Sequence, residues 1–388
     1  MRIIVDFTAF IPQSTGVDTY LKQLVLHLAK IDSANQYLIC LNFEDRHLFA
    51  QKLPENFSCR ILSARLRAIR LIYQQIALPI TAFLWKADII HSPAFIMPFI
   101  RGASQHILTI HDMTSFSHPH CHNALRRSSL YLSMVRASMV RADMIIVPSL
   151  ATKKVILEFM PDLCPENIHV TPLGVSKGFR LYDRTQIQDT LKRLRISQPY
   201  ILYVGTLEPR KNLPALIEAY RRLLQAGAIR EDLVIAGKLG WDYDVLLQQI
   251  DMLALRGKVH LTGYLDQQDL GPVYSGARLF VYPSLIEGFG LPPLEAMACG
   301  TPTISTVSSS LSENLEGAAE LIPPDNIEAL EDTMKHLLND EILWNKRRVQ
   351  GLERASQYRW ERTAMKTLAS YQVTMTTAQR GWHRGTKN

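Results

Sequence analysis

The chain has 388 residues, 47% of them hydrophobic, and a formal net charge of +7. That length and composition suit two globular domains with substantial cores. Five scattered cysteines, at 40, 59, 121, 164 and 299, exclude a disulfide framework and fit a reducing cytosol. The charge is uneven: residues 1–195 carry 23 Lys and Arg against 14 Asp and Glu, the remainder 20 against 22. A basic first half suits an anionic lipid, a membrane surface or a nucleic acid. No nucleic-acid motif accompanies it, so nucleic acid is not an expected partner.

The chain opens with Met1-Arg2-Ile3-Ile4-Val5-Asp6, a strand rather than a signal peptide. Short apolar runs then alternate with helical patterns, which predicts parallel sheets covered by helices. In the first half strands are expected near 2–7, 37–41, 59–62, 88–92, 106–111, 144–148 and 169–172, with helices near 16–30, 65–85, 124–141 and 150–159. In the second half strands are expected near 200–205, 233–237, 259–262, 278–282, 302–305 and 319–322. Helices there fit 212–226, 242–255, 266–275, 292–299, 311–315 and 326–339. Residues 341–372 also read as helical, and the polar tail beyond about 375 as frayed. Gly174, Gly178, several charges and Pro199 interrupt the pattern. The expected division is a domain over 1–175, a linker over 176–198, a second domain over 199–360 and a C-terminal helix and tail over 361–388. Each half reads as an α/β, Rossmann-like doubly wound domain, and two such domains would face each other across a cleft.

No run of about 18 apolar residues suggests a transmembrane helix. Arg65-Leu66-Arg67-Ala68-Ile69-Arg70-Leu71-Ile72-Tyr73 mixes basic and apolar residues at helical spacing. It fits either a surface helix touching anionic lipid or an ordinary helix packed on the sheet. His118-Pro119-His120-Cys121-His122 lacks the second ligand pair that a zinc site needs, so no metal is expected.

The most informative stretch is Glu287-Gly288-Phe289-Gly290-Leu291-Pro292-Pro293-Leu294-Glu295. It follows a buried strand and opens a short helix that Gly300 closes. Prolines suit the first helical turn, where a missing N–H costs little. A strand, a glycine turn and a helix N-terminus together aim backbone N–H groups and a positive dipole at an anion. Two carboxylates flanking the turn suit hydroxyl groups, so the expected ligand carries both phosphate and hydroxyls. No Gly-x-Gly-x-x-Gly follows the first strand, which argues against a nicotinamide dehydrogenase.

This stretch resembles the paired-glutamate signature of retaining glycosyltransferase family 4, whose fold is GT-B. Further segments share the resemblance: Tyr203-Val204-Gly205-Thr206-Leu207-Glu208-Pro209-Arg210-Lys211-Asn212-Leu213, Ala298-Cys299-Gly300-Thr301-Pro302, and Ser308 to Glu313. In the first half Ser14-Thr15-Gly16-Val17 and Thr109-Ile110-His111-Asp112 take the places of a glycine loop and a strand ending in His. The similarity of order and spacing covers about residues 1–360.

The resemblance implies a hexosyltransferase acting on a nucleotide sugar, with no cofactor and no metal. It implies diphosphate binding by Lys211 and Arg210, with Thr206 where many relatives have Arg. Glu295 would bond the ribose hydroxyls and Glu287 the donor sugar's hydroxyls. Gly288, Phe289, Gly290 and Leu291 would line the donor, the middle and last of these through backbone N–H groups. Gly16 would approach the phosphates, Lys238 the phosphate or sugar, and His111 the donor sugar or the acceptor side. The expected catalytic group is Glu287, His111, Arg210 and Lys211. The Glu208-Pro209-Arg210-Lys211-Asn212 variant resembles polysaccharide mannosyltransferases, so GDP-mannose is the first expected donor, with UDP-glucose, UDP-N-acetylglucosamine and dTDP-rhamnose open. The expected partners are that donor, a glycan or lipid-linked acceptor, and a membrane met through the basic first domain. The expected location is cytoplasmic, at the inner face of the membrane. A C-terminal helix crossing back to the first domain is also implied. Alternatives are a nucleotide-sugar epimerase or a non-catalytic carbohydrate-binding partner on the same scaffold.

Overall fold

The structure, a computed structural model, describes residues 1–10, 16–49, 53–122, 124–241 and 243–385. Ser14 and Thr15 of the first glycine loop, Asp242 and the last three residues lie outside this range. The chain divides into two compact units. The first comprises Met1–Pro119, Ala124–Gly174 and Trp360–Asn388, the second His120–Asn123 and Val175–Arg359.

In the first unit seven strands form one parallel sheet: β1 (Arg2–Asp6), β2 (Gln36–Asn42), β3 (Phe57–Leu62), β4 (Ile89–Ser92), β5 (Gln105–Thr109), β6 (Met144–Val147) and β7 (Ile168–Val170). Their order is β3-β2-β1-β4-β5-β6-β7. Strand β6 is buried throughout, which explains its unbroken apolar character, and β4 is equally buried although it ends in His91 and Ser92. Helix Arg67–Trp85 sets Tyr73, Leu78 and Ala82 against Ile4, Leu38 and Ile90. Helix Ser129–Arg141 sets Tyr131, Val135 and Met139 against Leu108, Ile110 and Ile145. The C-terminal helix Trp360–Gly385 belongs to this unit. Its Tyr371 hydroxyl lies 2.8 Å from His91 Nδ1, and Thr363 donates to the Pro172 carbonyl at 2.7 Å.

The second unit has a six-stranded parallel sheet: β8 (Tyr200–Val204), β9 (Asp232–Ala236), β10 (Val259–Gly263), β11 (Leu279–Tyr282), β12 (Thr303–Thr306) and β13 (Glu320–Ile322). The order is β10-β9-β8-β11-β12-β13. Both sheets are thus doubly wound. The direction of winding reverses between β1 and β4 in one and between β8 and β11 in the other, and ligands of such sheets bind at the carboxyl ends of the strands there.

Three expectations need correction. Residues 176–198 are not a plain linker, since they contain helix Arg184–Leu194 and belong to the second unit. Its apolar stripe is narrow: Ile187, Leu191 and Leu194 lie on one face, and only Leu191 is fully buried. It is held by the Asp183 cap, 2.8 Å from the Gln186 N–H, and by Arg193 on Asp269 at 2.6 Å. The tail is helical to Gly385 rather than frayed from about 375. Helix Arg67–Trp85 is long and apolar enough to cross a membrane by length and composition, where no such run was expected. Its cations, Arg67 and Arg70, crowd into the first turn and leave 71–85 uncharged.

Strand ends in the second unit approach closely. The Gly205 N–H donates to the Ala236 carbonyl at 2.9 Å, and a Cβ on Gly237 would lie 1.9 Å from the Gly205 carbonyl oxygen. Gly237→Ala must push β8 and β9 apart, at a cost of about 2–4 kcal/mol. Thermal unfolding should show a drop of several degrees; an unchanged midpoint would contradict this packing.

Candidate functional site

The site is built where the second sheet reverses. After β8 the chain makes a tight turn, with the Lys211 N–H on the Glu208 carbonyl at 3.0 Å and Asn212 in the left-handed conformation at φ 53°. Helix Leu213–Gln225 follows. After β11 the chain runs through Ser284 to Glu287. The two turns are tied together, since the Leu285 N–H donates to the Arg210 carbonyl at 2.9 Å and the Ser284 hydroxyl oxygen lies 3.2 Å from the same carbonyl.

The tie brings four charges together. Lys211 Nζ lies 2.5 Å from Glu287 Oε1 and from the Tyr282 hydroxyl. Arg210 Nη1 lies 2.6 Å from Glu287 Oε2, and Arg210 Nη2 lies 2.6 Å from Glu208 Oε1. Ser284 donates to Glu287 at 2.6 Å and Tyr282 at 3.0 Å. Lys211 and Glu287 are only 6% and 8% exposed. Burial alone would raise the Glu287 carboxyl, but Arg210 and Lys211 hold it down to about 2. Burial lowers the Lys211 ammonium, helped by Arg210 and opposed by Glu287 and Glu208. The expected separate roles for cations and carboxylate therefore become one coupled group, with Glu287 paired to both Lys211 and Arg210.

The glycine turn is braced from a third loop. Ser310 donates to the Glu287 carbonyl at 2.8 Å, and Asn314 Nδ2 to the Phe289 carbonyl at 2.7 Å. Gly290 adopts φ 87°, and a Cβ there would sit 2.4 Å from Leu311 Cδ2. Glycine thus satisfies both the backbone and the space. It opens helix Leu291–Ala298, which carries Pro292 and Pro293 in its first turn. Gly288, Phe289 and Leu291 flank this helix start, and Glu295 stands one turn inside it. Tyr274 donates to Glu295 Oε2 at 3.2 Å. Burial raises the Glu295 carboxyl to about 7, with the Tyr274 bond opposing.

The remaining expected residues are divided between the two units. Thr206 starts the β8 turn, its carbonyl accepting from the Tyr203 hydroxyl at 3.3 Å. Lys238 follows β9, with Nζ 5.5 Å from the Tyr264 ring centre. His111 and Gly16 belong to the first unit. His111 follows β5 and is buried, its Nε2 2.8 Å from the Pro93 carbonyl and its ring edge-on to Tyr20 at 4.9 Å. Burial lowers its pKa. Gly16 begins helix Gly16–Ile31, which carries Tyr20. Sequence reasoning assigned nothing to Glu208, Tyr282, Ser284 or Asn314. Tyr282 and Ser284 lie between a recognised strand and a recognised motif, and that position is the one signal that marked them. Among the described residues no group of three His, Cys, Asp or Glu side chains is arranged to hold a metal ion.

A family model described as Glycosyltransferase Family 4 matches residues 14–178, and one described as Glycosyl transferases group 1 matches residues 187–355. The chain is 31% identical over 290 residues to O-antigen chain mannosyltransferase B of Escherichia coli, covering 74% of this chain and 75% of that one. It is 30% identical over 226 residues to the serotype-specific mannosyltransferase WbdA of Escherichia coli, covering 57% of this chain and 28% of that one. Sucrose-phosphate synthase from Thermosynechococcus elongatus has a similar fold, with a TM-score of 0.78 at 20% identity over 97% of this chain and all of that one. Two doubly wound units with these matches define a GT-B glycosyltransferase. The chain belongs to glycosyltransferase family 4 and falls with its mannosyltransferase-like members.

Glu295 gives a pH signature. Its raised pKa means that the folded chain binds the proton more tightly than the unfolded one. The resulting stability is present below the unfolded value of 4.5 and is lost as pH rises through about 7. Glu295→Gln should therefore gain about 1–3 kcal/mol over wild type on going from pH ~5 to pH ~8. Thermal melts across that range test this, and parallel curves for the two proteins would contradict it.

Proposed function

We propose that the reversal point of the second sheet binds a nucleotide diphosphate sugar and that the enzyme transfers the sugar with retention and without a metal. Mannose from GDP-mannose is the first choice of donor. The acceptor is a glycan or lipid-linked oligosaccharide of an envelope polysaccharide, met in the cytoplasm at the inner face of the membrane. One observation carries this reading: two cations and a glycine turn at a helix start share one strand-end site with Glu287. The mannosyltransferase names of the relatives support the choice of sugar.

In this reading the diphosphate lies over the start of helix Leu291–Ala298, where the dipole and backbone N–H groups favour an anion. Lys211 and Arg210 oppose the charge that grows as the anomeric carbon–phosphate oxygen bond breaks. Glu208 and Glu287 already neutralise these cations, so the group is electrically balanced before the donor arrives. Glu287, held ionised and oriented by four donor side chains, turns its acceptor capacity toward the sugar hydroxyls. Glu295 accepts from the ribose. The acceptor oxygen bonds the anomeric carbon on the face the phosphate leaves, and the departing phosphate oxygen takes the acceptor's proton. His111 is assigned to the donor sugar or the acceptor side. The presence of Lys211, Glu287 and Glu295 counts against a non-catalytic relative.

Purified protein should release GDP from GDP-mannose in the presence of EDTA. Product with inverted anomeric configuration, or no turnover of any nucleotide sugar, would overturn the proposal. Lys211→Ala should weaken GDP binding by about 1.5–3 kcal/mol, roughly ten- to a hundred-fold. Calorimetry that finds unchanged affinity would remove Lys211 from the diphosphate site.

A further inference from the structure

We infer that Glu208 sets how tightly the second unit holds a nucleoside diphosphate: acting through Arg210, its charge weakens the hold on the product of sugar transfer. The inference rests on the donor reading proposed above, and it gives a role to a carboxylate that touches neither sugar nor ribose in that reading.

Glu208 stands at the start of the tight turn after β8, where its backbone is fixed. The Leu207 N–H donates to the Lys238 carbonyl at 2.8 Å, and the Glu208 carbonyl accepts from the Lys211 N–H at 3.0 Å. Gly240 passes Leu207 so closely that a Cβ there would lie 2.4 Å from the Leu207 carbonyl oxygen. The Glu208 side chain is only 8% exposed and ends 2.6 Å from Arg210 Nη2. Among the described residues Arg210 is the one hydrogen-bond partner of this carboxylate.

Arg210 has other anchors. Its Nη1 donates to the Ile286 carbonyl at 2.8 Å and lies 2.6 Å from Glu287 Oε2. Glu287 is bonded by Lys211, Tyr282 and Ser284 as well. Neutralising Glu287 would therefore disturb four donors. Neutralising Glu208 while keeping its shape would change the charge of the group and leave its bonds in place.

That charge bears directly on an anion. Two carboxylates and two cations sum to zero, and without Glu208 the group is positive. The field of Glu208 also reaches Lys211, where it favours the ammonium form. In the donor both phosphates are esterified. After transfer the terminal phosphate is free, and at neutral pH it carries about one more negative charge. Two uncompensated cations would thus hold the product harder than the donor, and the site would stay blocked after each turnover. A fixed negative charge beside Arg210 opposes this, and opposes it more strongly for the product. A unit charge within a side chain's length of the phosphates changes affinity by about tenfold in such partly buried surroundings.

Calorimetric titration of GDP and UDP into the full chain tests this with two variants that separate charge from contact. Glu208→Gln keeps the length and the bond to Arg210 but loses the charge. Glu208→Asp keeps the charge but shortens the reach. Glu208→Gln should bind GDP about tenfold more tightly than wild type, with a steeper dependence on salt. Its gain for GDP-mannose should be smaller, and GDP should inhibit its turnover at a correspondingly lower concentration. Glu208→Asp should stay within about threefold of wild type, since through-space charge depends weakly on one methylene. Unchanged or weaker GDP binding by Glu208→Gln would overturn the inference. So would an equal gain in Glu208→Asp, or a Glu208→Gln chain that no longer folds, since Glu208 would then act by contact and hold the turn. Wild type that binds neither GDP nor UDP would overturn the donor reading itself, a separate result.

Discussion

The second unit depends on the ion pairs that Glu287 makes with Lys211 and Arg210. Charged groups taken out of water are costly unless each meets an opposite charge and further hydrogen bonds. Here the partners are 76 residues apart in the chain and come from turns after β8 and β11. They meet because those strands are neighbours at the point where the winding reverses. The cluster and the sheet order therefore require each other: the order brings the charges together, and the charges hold the strand ends in register. Removing one partner would leave the other charge buried and uncompensated, which is costlier than removing the whole group.

The same pairs prepare the site for a ligand. Lys211 sits between Glu287 and the Tyr282 hydroxyl, with the Tyr282 ring 4.9 Å beneath its ammonium. Little side-chain freedom remains to be lost on binding. Ser310 and Asn314 fix the carbonyls of the glycine turn in the same way. Glu295 has one weak donor, at 3.2 Å, and a pKa of about 7. The two glutamates thus differ in character: Glu287 is held ionised among four donors, whereas burial keeps the Glu295 carboxyl protonated up to about pH 7.

Much of this was legible in the sequence, because parallel strands buried on both faces and a glycine turn before a proline-led helix leave plain marks. The thirteen strands among the described residues were all expected close to where they occur. The glycine turn after β11 was legible from its own residues, whereas the candidate residues after β8 were marked by the resemblance to the family. The pairing of Glu287 with both cations was not legible, since spacing along the chain does not say which turns touch. Glu208, Tyr282, Ser284 and Asn314 were hidden for the same reason. Helix Arg184–Leu194 was missed because its apolar face is only three residues, Ile187, Leu191 and Leu194, in an otherwise polar and charged stretch. Helix Arg67–Trp85 shows a further limit. Apolar periodicity reveals a helix but not which face meets the protein, and here both faces are apolar.

The family places the chain among glycosyltransferases, and the chemistry of one strand-end site then carries the rest. A thermal-shift panel of nucleotide sugars and free nucleoside diphosphates tests that site most directly, because a ligand that binds the folded state alone raises its stability by mass action. GDP-mannose and GDP should raise the unfolding midpoint in a concentration-dependent way, more than mannose alone. If no nucleoside diphosphate shifts it, the cluster of Lys211, Arg210 and Glu287 is a structural clamp and not a donor site.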